Sequence, residues 1–438
     1  MTHPDRRRLL ETCFRRAVAA ADPAAATLAA LTPETPGVPV WIIAAGKASL
    51  PMAHAAVQVL AARDLRPAGG IVIPAEPANP PHPALQVVAG DHPVPGADSL
   101  RAAEALAGLV PRARGEPVWV LLSGGASSLM AGPVGGVTQA ELAALFQALL
   151  GSGLEIHTMN AIRGRFSRWA HGRLAAALVP SDVLVLAVSD VIGDELPSIG
   201  SGPCSRDTTT AADVAALLRS KAAMLAIPPG ILAWIEDHAA HSARETPKPD
   251  DPAFDRVRSR IIVGNGRSRD AACAAAAAAG LDARPVAEPL HGEAAAAGTA
   301  VARSMLEARR GTCLVWGGET TVTLPPDAPP GGRCQELALA AARRLHQAGA
   351  GAAITILAAG TDGRDGTTDA AGAVVDGLTW QRIERAGRNP QSDLDHHRAH
   401  PALDAAGALL RTGPTGTNVM DLVVAVRSER DCGFTGRP

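Results

Sequence analysis

The chain has 438 residues, enough for two or three domains. Hydrophobic residues make up 47% and charged residues 19%, which excludes a disordered chain. Lys and Arg number 41 against 43 Asp and Glu, a net charge of −2, so there is no general electrostatic pull on nucleic acid or on an anionic membrane. Aromatic residues are 3% and Tyr is absent, which argues against base-stacking platforms. Cys13, Cys204, Cys273, Cys313, Cys334 and Cys432 are scattered, and none forms C-x-x-C. A disulfide framework or structural zinc site is not expected, and a cytoplasmic location is.

The N-terminal segment places Leu9, Leu10, Cys13, Phe14 and Ala17 at helical spacing, with acid and arginines where a signal peptide needs an apolar run. The spacing predicts an amphipathic helix. Val40–Ala45 reads as a strand, followed by Gly46-Lys47-Ala48-Ser49 and a helix through Leu60. Gly70–Pro74 and Gln86–Ala89 read as further strands. Val118–Leu122 is a strand followed by Ser123-Gly124-Gly125 and a helix over Gln139–Leu150. Val183–Val188 is a strand ending at Ser189-Asp190. This alternation predicts parallel α/β layers.

Arg244–Phe254, with three prolines and no apolar periodicity, reads as a linker. The alternation then restarts: strand Arg260–Val263, helix Asp270–Gly280, strand Thr312–Trp316, helix Glu336–Gln347, and strands Ile354–Ala358 and Leu422–Val426. The expected organisation is an N-terminal domain over 1–243, a linker over 244–256 and a C-terminal domain over 257–438. No apolar run reaches the roughly 20 residues a membrane helix needs.

Several Gly-rich loops follow predicted strands, where open α/β sheets bind ligands. They are AAGKAS, AGDHPVPG, LSGGASS, VSDVIGDE with SIGSGP, WGGETT, GGRCQE and AAGTDGRDGTTDAAGA. Any one of them is explained by turn-forming residues; so many of one chemistry point to a polyanionic ligand. The known nucleotide fingerprints fail. A Walker A loop needs glycine where Trp41 stands, and in Gly264-Asn265-Gly266 the third glycine position holds Arg269.

Lys47, between a strand and a helix, is placed to neutralise phosphate, or is an ordinary solvated lysine. Asp190 ends an apolar strand and suits Mg²⁺ or a hydroxyl proton; a helix cap is the alternative. Arg333 opens a helix after two glycines, so its fork can reach carboxylate or phosphate. Asp362, Asp365 and Asp369 gather in one loop, as a metal site or as turn residues. His396, His397 and His400 lack a third spaced ligand, and a surface segment is the simpler reading.

Taken together, the strings SDVIGDELPSIGSGP, WGGETTVTL, GGRCQELALAAA, GTDGRDGTTDAAGAVVDG and TGPTGTNVMDL resemble the glycerate 2-kinase family, whose C-terminal part is called the MOFRL domain. The resemblance runs from Ala44 to about Val426. It implies two α/β domains, the first Rossmann-like and the second of MOFRL type, with an active site in the cleft between them. It implies ATP- and Mg²⁺-dependent phosphorylation of D-glycerate at its 2-hydroxyl. Catalytic roles carry onto Lys47, Asp190 and Arg333, with Asp190 also the candidate Mg²⁺ ligand. Ser123, Gly124, Gly125, Ser127, Asn160, Arg163, Gly317, Gly318, Glu319, Thr320, Asp362 and Asn418 are the candidate substrate- and phosphate-binding residues. The partners implied are D-glycerate and ATP, with neither nucleic acid nor membrane, and a homodimer is compatible. The chain departs from the family pattern at Ala170-His171-Gly172, Ile192, Cys204 and Cys334. Two rivals stand: an NAD(P)H-dependent hydroxypyruvate reductase, and a metabolite-binding homologue without turnover.

Overall fold

The computed structural model describes residues 3–221, 225–241, 245–325 and 329–428. Arg244, the expected domain boundary at 243 and Cys432 fall outside these residues. The chain divides into two compact units, Pro23–Val263 and the combination of Met1–Asp22 with Gly264–Pro438.

The Pro23–Val263 unit is built on six strands: β1 Val40–Ala45, β2 Pro67–Ile73, β3 Leu85–Val87, β4 Val118–Leu122, β5 Val183–Val188 and β6 Val257–Val263. Their spatial order is β3-β2-β1-β4-β5-β6 and every pairing is parallel. This is the doubly wound dinucleotide-fold order, with its reversal between β1 and β4. β1, β4 and β5 are buried at every position, so they read as unbroken apolar runs. Helix Ser49–Ala61 packs on β1, β2 and β4, and helix Ala97–Ala113 on β2. Each loop leaving β1, β4 or β5 therefore emerges at the same edge, where the strand order reverses.

The other unit carries β7 Asp282–Pro285, β8 Thr312–Gly318, β9 Ile354–Gly360, β10 Gly372–Asp376, β11 Leu409–Leu410 and β12 Asp421–Arg427. The order is β11-β10-β9-β12-β8-β7. Only β7 and β8 pair in parallel; the remaining pairings are antiparallel. The parallel arrangement read for the N-terminal strands does not extend to this sheet, which is mixed. One face is covered by helix Arg333–Gln347, which buries Ala338, Leu339, Ala341, Ala342 and Leu345. On the other, helix His3–Ala20 buries Leu10, Cys13, Phe14 and Ala17 in a cluster with Leu357, Leu422 and Val424. Arg6 is fully buried, its Nε donating to Thr355 Oγ1 at 3.1 Å.

The division of the chain differs from the sequence expectation in three ways. Helix His3–Ala20 belongs with the C-terminal strands, because its apolar stripe is spent on their sheet. β6 closes the first sheet by pairing with β5, so residues 257–263 belong to the first unit. The proline-rich segment is no free linker: Glu245 and Lys248 join a buried charge network, and Phe254 is 4% exposed in the core. No helix among the described residues is long and apolar enough to cross a membrane.

Candidate functional site

Glycines bring the loops after β1 and β4 together. Gly46 has φ +119°, and a Cβ there would lie 2.2 Å from Ser123 Oγ and 2.4 Å from its carbonyl oxygen. Only glycine permits this approach. The Lys47 N–H donates to Gly124 O at 2.9 Å, and the Ala48 N–H donates to Ser123 Oγ at 2.9 Å. Ser123 is thus a tie between loops. Helix Ser49–Ala61 begins here with no side-chain cap. The Ser49 N–H is taken by Gly46 O, so what this helix start offers an anion is mainly its dipole.

The next two glycines each present bare backbone to a functional side chain. A Cβ on Gly124 would fall 2.0 Å from Asp190 Oδ2. A Cβ on Gly125 would fall 3.0 Å from His92 Cδ2, 3.3 Å from His92 Nε2 and 3.5 Å from Lys47 Cγ. Lys47 after β1, Asp190 after β5 and His92 after β3 therefore converge on the loop after β4. Arg163, from helix Ile156–Phe166, joins them: its charge and that of Lys47 both act on His92.

These groups are electrostatically unspent. Arg163 is 9% exposed, its Nε is buried without a hydrogen-bond partner, and its guanidinium stands 5.5 Å from the Phe146 ring. Burial pulls its pKa down to about 10, which leaves it charged at neutral pH. Burial pushes the Asp190 carboxyl up, and the Lys47 ammonium partly opposes that. Burial first, then Lys47 and Arg163, push His92 down to about 4, so its ring is neutral at pH 7. Among the described residues, Lys47, Arg163 and Asp190 have no ion-pair partner. Arg163 is buried, and buried charges are normally paired. Lys47 is exposed and adds a second cation beside the glycine backbone, so together they make a site for an anion. Asp190 is not a helix cap, because the next helical turn, Leu196–Ser201, is flanked by Glu195.

Other predicted residues hold this centre in place. Asn160 Nδ2 donates to Ser198 O at 3.2 Å, and the Ser127 and Ser201 hydroxyls lie 2.8 Å apart. Both contacts tie helices to the SIGSGP turn. Behind them lies a buried network. Asp207 meets Arg165 at 3.1 Å, His171 at 3.0 Å and Thr246 at 2.7 Å, and Arg165 meets Glu245 at 2.7 Å. Against the cost of burial, His171 and the Thr hydroxyls hold the Asp207 carboxyl well below its usual range.

In the other unit Arg333 is already engaged. Its Nε and Nη2 donate to the two oxygens of Asp421 at 2.6 and 2.9 Å, and Nη2 also meets Glu319 at 2.9 Å. The fork expected to grip a planar anion is occupied by a carboxylate of the protein. Burial opposes its charge, yet Asp421 raises its pKa above the usual value. Gly317 admits Asn265, since a Cβ there would lie 1.5 Å from Asn265 Oδ1. Asn265 Nδ2 donates to the carbonyls of Val419 and Asp421. Gly318 has φ +136°, and the buried Thr320 hydroxyl has no partner.

The three loop acids separate. Asp362 accepts the Arg364 N–H, Asp365 accepts the N–H groups of Cys334 and Gln335, and Asp369 pairs with Arg411. The metal reading of that loop is withdrawn; among the described residues no group of three or more His, Cys, Asp or Glu could hold a metal ion. Asn418 accepts the Met420 N–H within a turn. His397 and His400 are spent on Glu336 and Gln335. Sequence reading missed His92 and Asp421. His92 stood inside AGDHPVPG, already marked as a ligand-type loop, so its signal was present.

Residues 9–236 match a family model described as a domain of unknown function (DUF4147), and residues 312–421 match the MOFRL family. A glycerate 2-kinase from Pyrococcus horikoshii is 35% identical over 395 residues, covering 88% of this chain and 87% of the relative. The chain belongs to the glycerate 2-kinase family. A solved glycerate kinase from Thermotoga maritima superposes with a TM-score of 0.85 at 32% identity, covering 97% of this chain and all of that one. A family relative from Agrobacterium vitis, 36% identical and covered over 93% of its length, bears a provisional hydroxypyruvate reductase name. Where this member departs from the glycerate 2-kinase pattern, at Ala170-His171-Gly172, His171 has φ +51° and is spent on Asp207.

Proposed function

We propose that this protein transfers the terminal phosphoryl group of ATP to the 2-hydroxyl of D-glycerate, giving 2-phosphoglycerate and ADP. The observation that carries the reading is the pair of charged groups against the Gly124-Gly125 loop at the β1/β4 reversal, Lys47 and Asp190, with the unpaired buried Arg163 close enough for its charge to act on His92 beside them. Phosphoryl transfer passes through a loose transition state, which needs positioning and charge stabilisation more than covalent chemistry. Lys47 and Arg163 supply positive charge to the anion. Asp190 orients the 2-hydroxyl and accepts its proton, and a carboxyl raised by burial is the better base near neutral pH.

The Mg²⁺ that such chemistry calls on is ordinarily held through one or two carboxylates and the phosphates of the nucleotide. Asp190 fits that demand, because its carboxylate takes no hydrogen bond from another described side chain. As the ligand of that ion Asp190 would act in place of the base, and the ion would supply further charge neutralisation. Arg333, tied to Asp421 and Glu319, is a positioning residue in this reading.

The reductase reading is disfavoured by topology. In the doubly wound fold the dinucleotide glycines lie in the first β–α turn. Here that turn is Gly46-Lys47-Ala48-Ser49, while Gly264-Asn265-Gly266 follows the edge strand β6. Measuring ADP release with D-glycerate and Mg-ATP, beside NADH oxidation with hydroxypyruvate, tests the two readings. ADP release dependent on glycerate supports the kinase; NADH oxidation alone overturns it.

A further inference from the structure

The His92 imidazole is the polar group of this centre that the mechanism above leaves unused. Its loop is fixed on both sides. The Gly90 N–H donates to Pro74 O at 3.0 Å, and a Cβ on Gly90 would lie 2.1 Å from Leu129 O. The Asp91 carboxylate accepts the N–H groups of Gly96, Asp98 and Ser99, pinning the start of helix Ala97–Ala113. Between these anchors the His92 ring makes no hydrogen bond to any described residue. It nonetheless lies against the bare backbone of Gly125, beside Lys47.

His92 is exposed, so its ring nitrogens are open to an incoming ligand while its Cδ2–Nε2 edge rests against Gly125, next to the cations that draw an anion there. We infer that His92 is a further substrate-contacting residue, donating a hydrogen bond from its ring to an anionic oxygen drawn to the Gly124-Gly125 loop by Lys47 and Arg163. The inference rests on the phosphoryl-transfer reading. A neutral imidazole carries one N–H donor and one acceptor. Beside two cations it adds a directed hydrogen bond without a third full charge, so the loop binds an anion without first having to hold three adjacent cations apart.

The test uses the full chain with ¹⁵N-labelled histidine. The His92→Gln protein identifies the His92 ring signals by their loss. Adding D-glycerate, and separately Mg-ATP, shifts those signals in the wild type. In turnover, His92→Phe keeps the ring shape and loses the nitrogens; kcat/KM for D-glycerate falls at least about ten-fold. His92→Gln, which retains an N–H donor, recovers part of that loss, whereas a purely structural role predicts that Phe substitutes better than Gln. Signals indifferent to both ligands, together with unchanged kcat/KM in His92→Phe, overturn the inference. If the wild type lacks glycerate kinase activity but the His92 signals shift with Mg-ATP, the function reading fails and the His92 assignment stands.

Discussion

At the scale of single residues, the decisive contrast is between charges that are spent and charges that are not. Asp190 belongs to the second kind. Its carboxyl is raised in the folded state, so the folded protein holds that proton more tightly than the unfolded chain. Ionised Asp190 therefore costs stability, and this cost grows as pH rises above the ordinary aspartate value of about 4. Asp190→Asn is accordingly expected to melt at or above the wild-type temperature at pH 7 and to lose nearly all turnover. A melting scan and a rate on one protein sample check both halves; near-native turnover removes Asp190 from the mechanism. Gly124→Ala is expected to be inactive as well, since its methyl meets Asp190 Oδ2 at 2.0 Å. Arg333 is of the first kind. Arg333→Lys breaks the paired bonds to Asp421, which is 2% exposed, and should cost about 1–3 kcal/mol of stability. Denaturant titration measures that cost, and a turnover loss without any stability loss would contradict the positioning role.

At the scale of elements, legibility followed burial. β4 and β5 were read to the residue because a parallel strand covered on both faces is an unbroken apolar run. β7, β10 and β11 were missed: they are short, and β10 begins at Gly372 inside a stretch read as a ligand loop. Lys47 and Asp190 were legible because they end strands. Asp421 was not, because its partner Arg333 is 88 residues away and no local pattern encodes that pairing. The docking of helix His3–Ala20 was likewise hidden; its stripe was plain, its destination was not. Phe14, 1% exposed, anchors that stripe, and Phe14→Ala is expected to cost about 3–5 kcal/mol in chemical denaturation. The proline-rich segment misled for a related reason. Glu245, Thr246 and Lys248 look solvated in sequence, but they complete the buried network around Asp207. Asp207→Asn removes the carboxylate that the buried Arg165 guanidinium meets at 3.1 Å, with an expected loss of about 3–5 kcal/mol.

At the scale of the whole molecule, buried carboxylates set how stability responds to pH, and two of them act in opposite directions. Asp207 is depressed, so its stabilisation is present above the ordinary aspartate value and is lost as pH falls through and below it. Asp365 is pushed up to about 6, burial being the main cause. Between about pH 4 and 6 the folded state binds more protons there than the unfolded chain, so its contribution declines as pH rises across that window. The stability difference between Asp365→Asn and wild type should therefore shift in favour of the variant from pH 4 to 6, by on the order of 2 kcal/mol, and stay level above. A difference that does not vary with pH would contradict this placement of Asp365. The central claim concerns the product. Phosphorus NMR of a reaction containing D-glycerate, Mg-ATP and this protein distinguishes phosphate on the 2-hydroxyl from phosphate on the 3-hydroxyl. The account predicts 2-phosphoglycerate accumulating in step with ADP; 3-phosphoglycerate alone, or no phosphoglycerate at all, would contradict it.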